Sequence, residues 1–229
     1  MKETIYTIPI SEVFEPRDGC PICRLRDALE QRAVAYILGA AMMEPDVREE
    51  TNRLGFCAGH YQMMLERRSR LQMGLTLQTR LATLLQELDR SPVKQKKAEP
   101  AGEGCYICGQ IEWAMSRMYA NLYQLYGAQE EFRVLFSEQP FFCYPHYKAL
   151  VAGSGAVAKR VQGQFVDEAR RLCRGQLQAL YDDVTKFCNM FDYRNNGRQD
   201  WGNARDAIER GVGFVTGRTA DGGKEEGRK

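Results

Sequence analysis

The chain has 229 residues, with 32 Lys and Arg against 30 Asp and Glu, and 44% hydrophobic residues. This composition excludes a wholly disordered polymer, and the length allows one domain or two small ones. A formal net charge of +2 supplies no global field to steer nucleic acid or an anionic membrane.

The first residues, MKETIYTIPI, lack the basic stretch, apolar run and small-residue cleavage site of a secretory signal. The longest apolar run, residues 33–43, contains Gly39 and is only 11 residues long. About 20 are needed to span a bilayer. The reading is therefore a cytoplasmic protein with no membrane segment. In that compartment eight cysteines point to metal or redox chemistry rather than to disulfides.

Steps of three and four between apolar residues predict long helices. The first covers residues 20–41, with Pro21 suited to a first turn. The second covers 57–88, with Met64, Leu71, Leu75, Leu81, Leu85 and Leu88 in helical spacing. The third covers 105–126. The fourth covers 157–191, with Phe165, Ala169, Leu172 and Leu180 among its apolar positions. Short helices are expected at 45–52 and 129–137. A last one ends near Gly217, capped by Asp200 or Asn203. No stretch alternates as a strand does. Each long stripe has to be buried, most simply by packing the four helices together. The fourth stripe covers about ten turns. That is longer than one lobe needs and favours a joined body.

The chain also repeats itself. Cys20-Pro-Ile-Cys23 is followed by Cys57-Ala-Gly-His60, and Cys105-Tyr-Ile-Cys108 by Cys143-Tyr-Pro-His146. The gaps between second and third cysteine are 33 and 34 residues. The offset between copies is 85 at the first cysteine and at Asp46/Glu131, and 86 at the third cysteine. One inserted residue accounts for the difference, so a duplicated unit is indicated. The expected architecture is all-α, a duplicated helical unit packed as two lobes or one pseudo-twofold body. Residues 1–90 form the first repeat, 91–104 a linker and 105–216 the second repeat with C-terminal helices. Residues 217–229 form a flexible tail.

Three thiolates and one imidazole suit a closed tetrahedral zinc site. The expected quartets follow the copies: Cys20, Cys23, Cys57 and His60 for one ion, and Cys105, Cys108, Cys143 and His146 for the other. An iron–sulfur cluster is the alternative cofactor, and buried core cysteines the alternative without metal. Structural zinc contributes about 10–16 kcal/mol in small peptides, against a net domain stability of about 5–15 kcal/mol. Such sites would decide whether the chain folds. Closed sites leave no open position for substrate, and both histidines are consumed. The leading reading is non-catalytic, and an enzyme that uses residues 44–52 is the minority alternative.

Three further features stand out. Cys173 and Cys188 lie about 22 Å apart along one helix and cannot pair there. They read as small core residues. Glu44, Asp46, Arg48, Thr51 and Asn52 read either as an acid-rich helix start or as a polar ligand surface. Tyr193, Arg194, Trp201 and Arg205 read either as a loop pinned by Trp201 or as anchors of a partner surface. A protein partner is the first expectation and a nucleic acid the second, with the zinc knuckles as scaffold. A thiol switch that releases zinc on oxidation is a third. Oligomeric state is open.

The stretch MMEPDVREETNRLGFCAGH, the paired CPIC and CYIC, and MFDYRNNGRQDWGNARDAIER together resemble an uncharacterised bacterial family of cysteine-rich, all-helical proteins. The resemblance covers nearly the whole chain. Members are sometimes labelled transporter substrate-binding. The resemblance implies that the acidic segment and the Trp201 segment belong to the family pattern, and it implies no activity for either.

Overall fold

The computed structural model describes residues 8–89, 104–191 and 201–218. Those residues form helices and contain no strand, as the periodicity predicts. In chain order they are α1 (Ile8–Phe14), α2 (Pro21–Ile37), α3 (Pro45–Leu54), α4 (Ala58–Glu66) and α5 (Arg70–Leu88). Then come α6 (Tyr106–Ala128), α7 (Glu130–Ser137), α8 (Tyr144–Ala152), α9 (Lys159–Met190) and α10 (Ala207–Thr216). Their order is compatible with duplication: α2, α3, α4 and α5 correspond in sequence to α6, α7, α8 and α9.

Local chemistry explains most boundaries. Pro45 opens α3 with Asp46 in its first turn, and Arg53 sits in its last. These charges match the helix dipole. Gly55 ends α3 at φ 68°, a left-handed conformation that glycine adopts without a Cβ clash. Arg80 reaches back from α5 and donates to the backbone carbonyls of Asn52 and Arg53. Those carbonyls lack partners within the helix, so Arg80 acts as a C-terminal cap.

The expected single helix over 57–88 is broken at 67–69. Arg67 closes α4, and Arg68 takes the left-handed conformation at φ 58° just beyond it. Glycine usually fills that position. Expectation and structure also differ at the last helix. It starts after Asp206, whose carboxylate pairs with Arg210 at 2.9 Å and makes no cap bond. Asn203 lies in the preceding 3-10 turn (Gly202–Ala204), and Asp200 falls outside the described residues.

Contacts gather the described residues into two compact units. One comprises those of Met1–Leu25 and Arg117–Lys229, the other those of Arg26–Ser116. The chain passes from one to the other within α2 and again within α6.

The core of the first unit is aromatic. Phe14, Tyr126, Phe132, Phe136, Phe142 and Phe165 are all fully buried. Phe136 lies at its centre, with ring centroids 4.8 Å from Phe142, and 5.1 Å from both Tyr126 and Phe165. Helix α9 turns Phe165, Ala169, Leu172, Cys173 and Leu180 inward at helical spacing. α8 and α10 pack on it.

In the second unit α3 and α4 pack on α5. Met73 and Thr76 are the buried residues of α5. Contrary to expectation, its leucines stay in solvent: Leu71, Leu75, Leu81, Leu85 and Leu88 are all exposed. The physical reason is the face. α3 and α4 cover the side carrying Met73, Thr76 and Arg80; Leu71, Leu75 and Leu85 project from the opposite side, and Leu81 lies between, beside a groove it shares with Met73 and Arg80.

Candidate metal centres

The eight predicted ligands come together in two quartets, but not in the expected ones. Cys20, Cys23, Cys143 and His146 form one, and Cys57, His60, Cys105 and Cys108 the other. Within each, the donor atoms lie within 4.8 Å of one another. Each CxxC pair therefore joins the CxxH pair of the other copy. The first quartet lies wholly in the first unit and the second wholly in the second.

Neighbouring segments explain the exchange. Phe14, just before the CPIC turn, packs against Phe142, which precedes Cys143. The Gln139 side-chain amide donates to the Phe14 carbonyl at 2.7 Å. These contacts bring the first CxxC to the second CxxH. In the other unit, the Tyr106 backbone N–H donates to the Gly55 carbonyl at 3.0 Å. That bond brings the second CxxC to the first CxxH.

The two quartets share a geometry. Each cysteine pair ends at a helix start: Cys20 precedes α2, and Cys105 precedes α6. Cys57 and Cys143 occupy the N-cap positions of α4 and α8. Helix N-termini favour negative sulfur. In each quartet the histidine presents Nδ1 to the sulfurs. His146 Nδ1 is 3.0 Å from Cys143, 3.3 Å from Cys23 and 3.6 Å from Cys20. His60 Nδ1 is 3.1 Å from Cys57, 3.2 Å from Cys105 and 3.5 Å from Cys108. Sulfur–sulfur distances are 3.7 Å for Cys23–Cys143 and 4.0 Å for Cys57–Cys108.

In each quartet one cysteine is the preferred anion. Burial raises the Cys105 thiol, but hydrogen bonds from His60 and from the Cys108 and Cys57 backbones outweigh it and bring it to about 6. Cys20 is likewise held well below the usual thiol value: burial opposes this, and hydrogen bonds from Cys143, Cys23 and His146 prevail. Once these sulfurs are charged, their neighbours resist ionising. Cys143 is pushed up to about 12, chiefly by its bond to Cys20. Burial and Cys105 push Cys108 up to about 12. Cys23 rises as well, through hydrogen bonds to Cys143 and Cys20. His60 is raised to about 9, first by its bond to Cys105, with burial opposing. Three thiolates in one quartet would need a positive ion among them.

Two supporting residues carry no sequence signal. Glu30 Oε1 lies 2.9 Å from His60 Nε2. A ligating histidine commonly donates its second N–H to a carboxylate, which fixes its tautomer. Nothing in a glutamate 30 positions upstream announces this. The second is Gly217, which is buried at φ 70°, and its carbonyl accepts from the Cys23 thiol at 3.4 Å. A Cβ there would lie 3.3 Å from Pro145 and 3.5 Å from the Cys143 sulfur. Gly217 was expected to open a loose tail, but its place is beside the first quartet. Beyond Arg218 the tail lies outside the described residues.

The quartets differ in exposure. All four residues of the first are buried, whereas Cys57 and Cys108 of the second are half-buried. Replacing Glu30 by Ala is expected to weaken the second quartet's hold on a metal by about 10–100-fold and leave the first unchanged. Competition against a chromophoric chelator measures both. Equal affinities in variant and wild type would remove Glu30 from the site.

The other candidates do not converge. Glu44 accepts from the Tyr36 hydroxyl at 2.7 Å. Asp46 and Arg48 are exposed, but Thr51 is buried and donates to the Arg48 carbonyl at 3.1 Å. Pro45 and Asp46 in the first turn of α3 form the acid-rich helix start. Trp201 packs on Phe187 and Phe191 at 5.7 and 5.9 Å. Arg205 is exposed, and Tyr193 and Arg194 lie outside the described residues. Cys173 is buried as expected, but Cys188 is exposed on the outer side of α9.

With the geometry in view, comparison with known proteins gives one result. The model of a "Family of unknown function (DUF6062)" matches residues 1–222. The chain belongs to this family. No curated protein and no solved structure matches it. Among the described residues, no helix is long and apolar enough to cross a membrane.

Proposed function

We propose that this member of the family is a non-catalytic, zinc-stabilised helical binding protein that works in the reducing cytoplasm. One observation carries the reading: each quartet is a closed set of three sulfurs and one imidazole nitrogen. For tetrahedral zinc, Zn–S of about 2.3 Å and Zn–N of about 2.0–2.1 Å imply S–S edges of about 3.8 Å and S–N edges of about 3.5 Å. The sulfur pairs at 3.7 and 4.0 Å and the S–N distances of 3.0–3.6 Å bracket those values. Four protein donors fill the coordination sphere, which is the pattern of a structural site rather than a catalytic one.

The ions would act as staples. Each ties a helix start near one CxxC to a helix start far away in sequence, with 120 positions between Cys23 and Cys143. Without the metal, buried thiols carry the desolvation cost with no cation to offset it. The expected result is two zinc ions per purified chain by elemental analysis, with a colourless solution. Chelation is expected to abolish the cooperative thermal transition and most of the helical signal. Full helicity and an unchanged transition after complete metal removal would refute the structural role. A brown sample with sulfide would favour an iron–sulfur cluster.

A further inference from the structure

The exposed face of α5 is an ordered seam. Leu71, Gln78 and Leu85 repeat every seven residues, and Gly74, Leu81 and Leu88 repeat with them at the alternate spacings of three and four. That is the a/d pattern of a coiled coil. The leucines of this seam are 71% exposed at Leu71, 51% at Leu81, 63% at Leu85 and 79% at Leu88. Flanking it, Leu75 and Leu77 are also exposed. An apolar stripe of this extent on a surface helix marks an interface.

We infer that α5 pairs antiparallel with α5 of a second copy of this chain. Three features favour that occupant and that direction. The first is size matching. In an antiparallel pair centred between residues 79 and 80, Leu71 meets Leu88 of the second copy. Leu85 meets Gly74, whose missing side chain leaves open space on that face. Gln78 meets Leu81. A large residue therefore faces a small one, or an equal, in each layer. The second feature is charge. At the ends of the seam, Arg70 opens α5 and Asp89 caps it, each beside the stripe. Antiparallel packing sets each basic end beside an acidic one and opposes the two helix dipoles. Parallel packing would set Arg70 beside Arg70 and Asp89 beside Asp89. The third is an adjoining groove of about 460 Å³, lined by Phe56, Tyr61, Leu65, Leu77, Leu81 and Leu84. It lies alongside the seam, on the flank that carries Leu77, and extends the apolar surface there.

The pairing uses only α5 and its neighbours and stands whether or not the quartets hold zinc. Sedimentation of the metal-loaded full chain tests it. Wild type is expected to sediment as a dimer. L81E/L85E is expected to sediment as a monomer with wild-type metal content and helicity, because both positions are exposed in the single chain. Q78L is expected to tighten the dimer, since it replaces the polar residue of the central layers. R70E is expected to weaken it, because the new acid lies at the end of the seam that carries Asp89 of the second copy. A wild-type monomer would overturn the inference, as would a dimer indifferent to L81E/L85E. Loss of dimer in L81E/L85E together with a wild-type dimer in R70E would overturn the antiparallel direction. Binding of monomeric wild type to neutral phospholipid vesicles would assign the stripe to a membrane surface instead.

Discussion

A chain carrying both C20S and H146A is expected to keep one metal ion, and a chain carrying both C20S and H60A to keep none. The first pair of changes falls in a single quartet and the second pair in both. Removing one ligand of four opens the coordination sphere and leaves the remaining buried thiols without a full set of partners. Structural zinc contributes about 10–16 kcal/mol in small peptides, so an impaired site loses its ion to modest competition. Quartets formed within each copy would give the reverse outcome: C20S/H60A would keep one ion and C20S/H146A none. Native mass spectrometry reads the count directly. The same logic makes C57S/C108S a one-ion protein and C57S/C143S a no-ion protein.

The second large effect is expected at Phe136. Its side chain is fully buried and meets five other aromatic rings: Phe14, Tyr126, Phe132, Phe142 and Phe165. Phe136→Ala removes these contacts and leaves a cavity that rigid neighbours only partly close. The cost is about 3–5 kcal/mol. That is a large share of the roughly 5–15 kcal/mol available to a domain. Thermal denaturation of the metal-loaded protein should show a midpoint lowered by about 10 °C or more. Tyr181→Ala serves as the comparison, since Tyr181 is 67% exposed. Such surface changes stay within about 0.5 kcal/mol. Equal midpoints for the two variants would mean that Phe136 does not organise the core. Because Phe142 adjoins Cys143, the cavity also reaches the first quartet, and its ion should exchange faster in F136A.

The eight residues that cluster were legible in the sequence because their pairs are local. A CxxC or CxxH pair declares itself within four residues, and a helix start can be read nearby. Pairing was not legible. Both schemes use the same residue types with the same spacing, and loop length discriminates poorly. Closing the gap of 120 positions from Cys23 to Cys143, rather than 34 to Cys57, costs only about 1 kcal/mol more in chain entropy. The choice was made elsewhere, by Phe14 against Phe142 and by Tyr106 on Gly55, contacts between residues whose sequence neighbours give no sign of them. The helices themselves followed from periodicity, but the direction of a stripe did not. α5 and α9 both read as apolar along one side. α9 turns its stripe onto the aromatic core, whereas α5 buries Met73 and Thr76 and leaves its leucines outside. Periodicity reports that a face exists, and tertiary contacts decide which way it looks. Glu30 and Gly217 escaped for a similar reason: each supports a ligand from a distant stretch of chain, as a carboxylate and as a bare carbonyl.

The most direct test is an anomalous-difference map collected at the zinc absorption edge from crystals of the chain purified without added metal. Two peaks of equal height are expected, one enclosed by Cys20, Cys23, Cys143 and His146 and the other by Cys57, His60, Cys105 and Cys108. A map with no peak at either quartet, or a peak shared by Cys20, Cys23, Cys57 and His60, would contradict it.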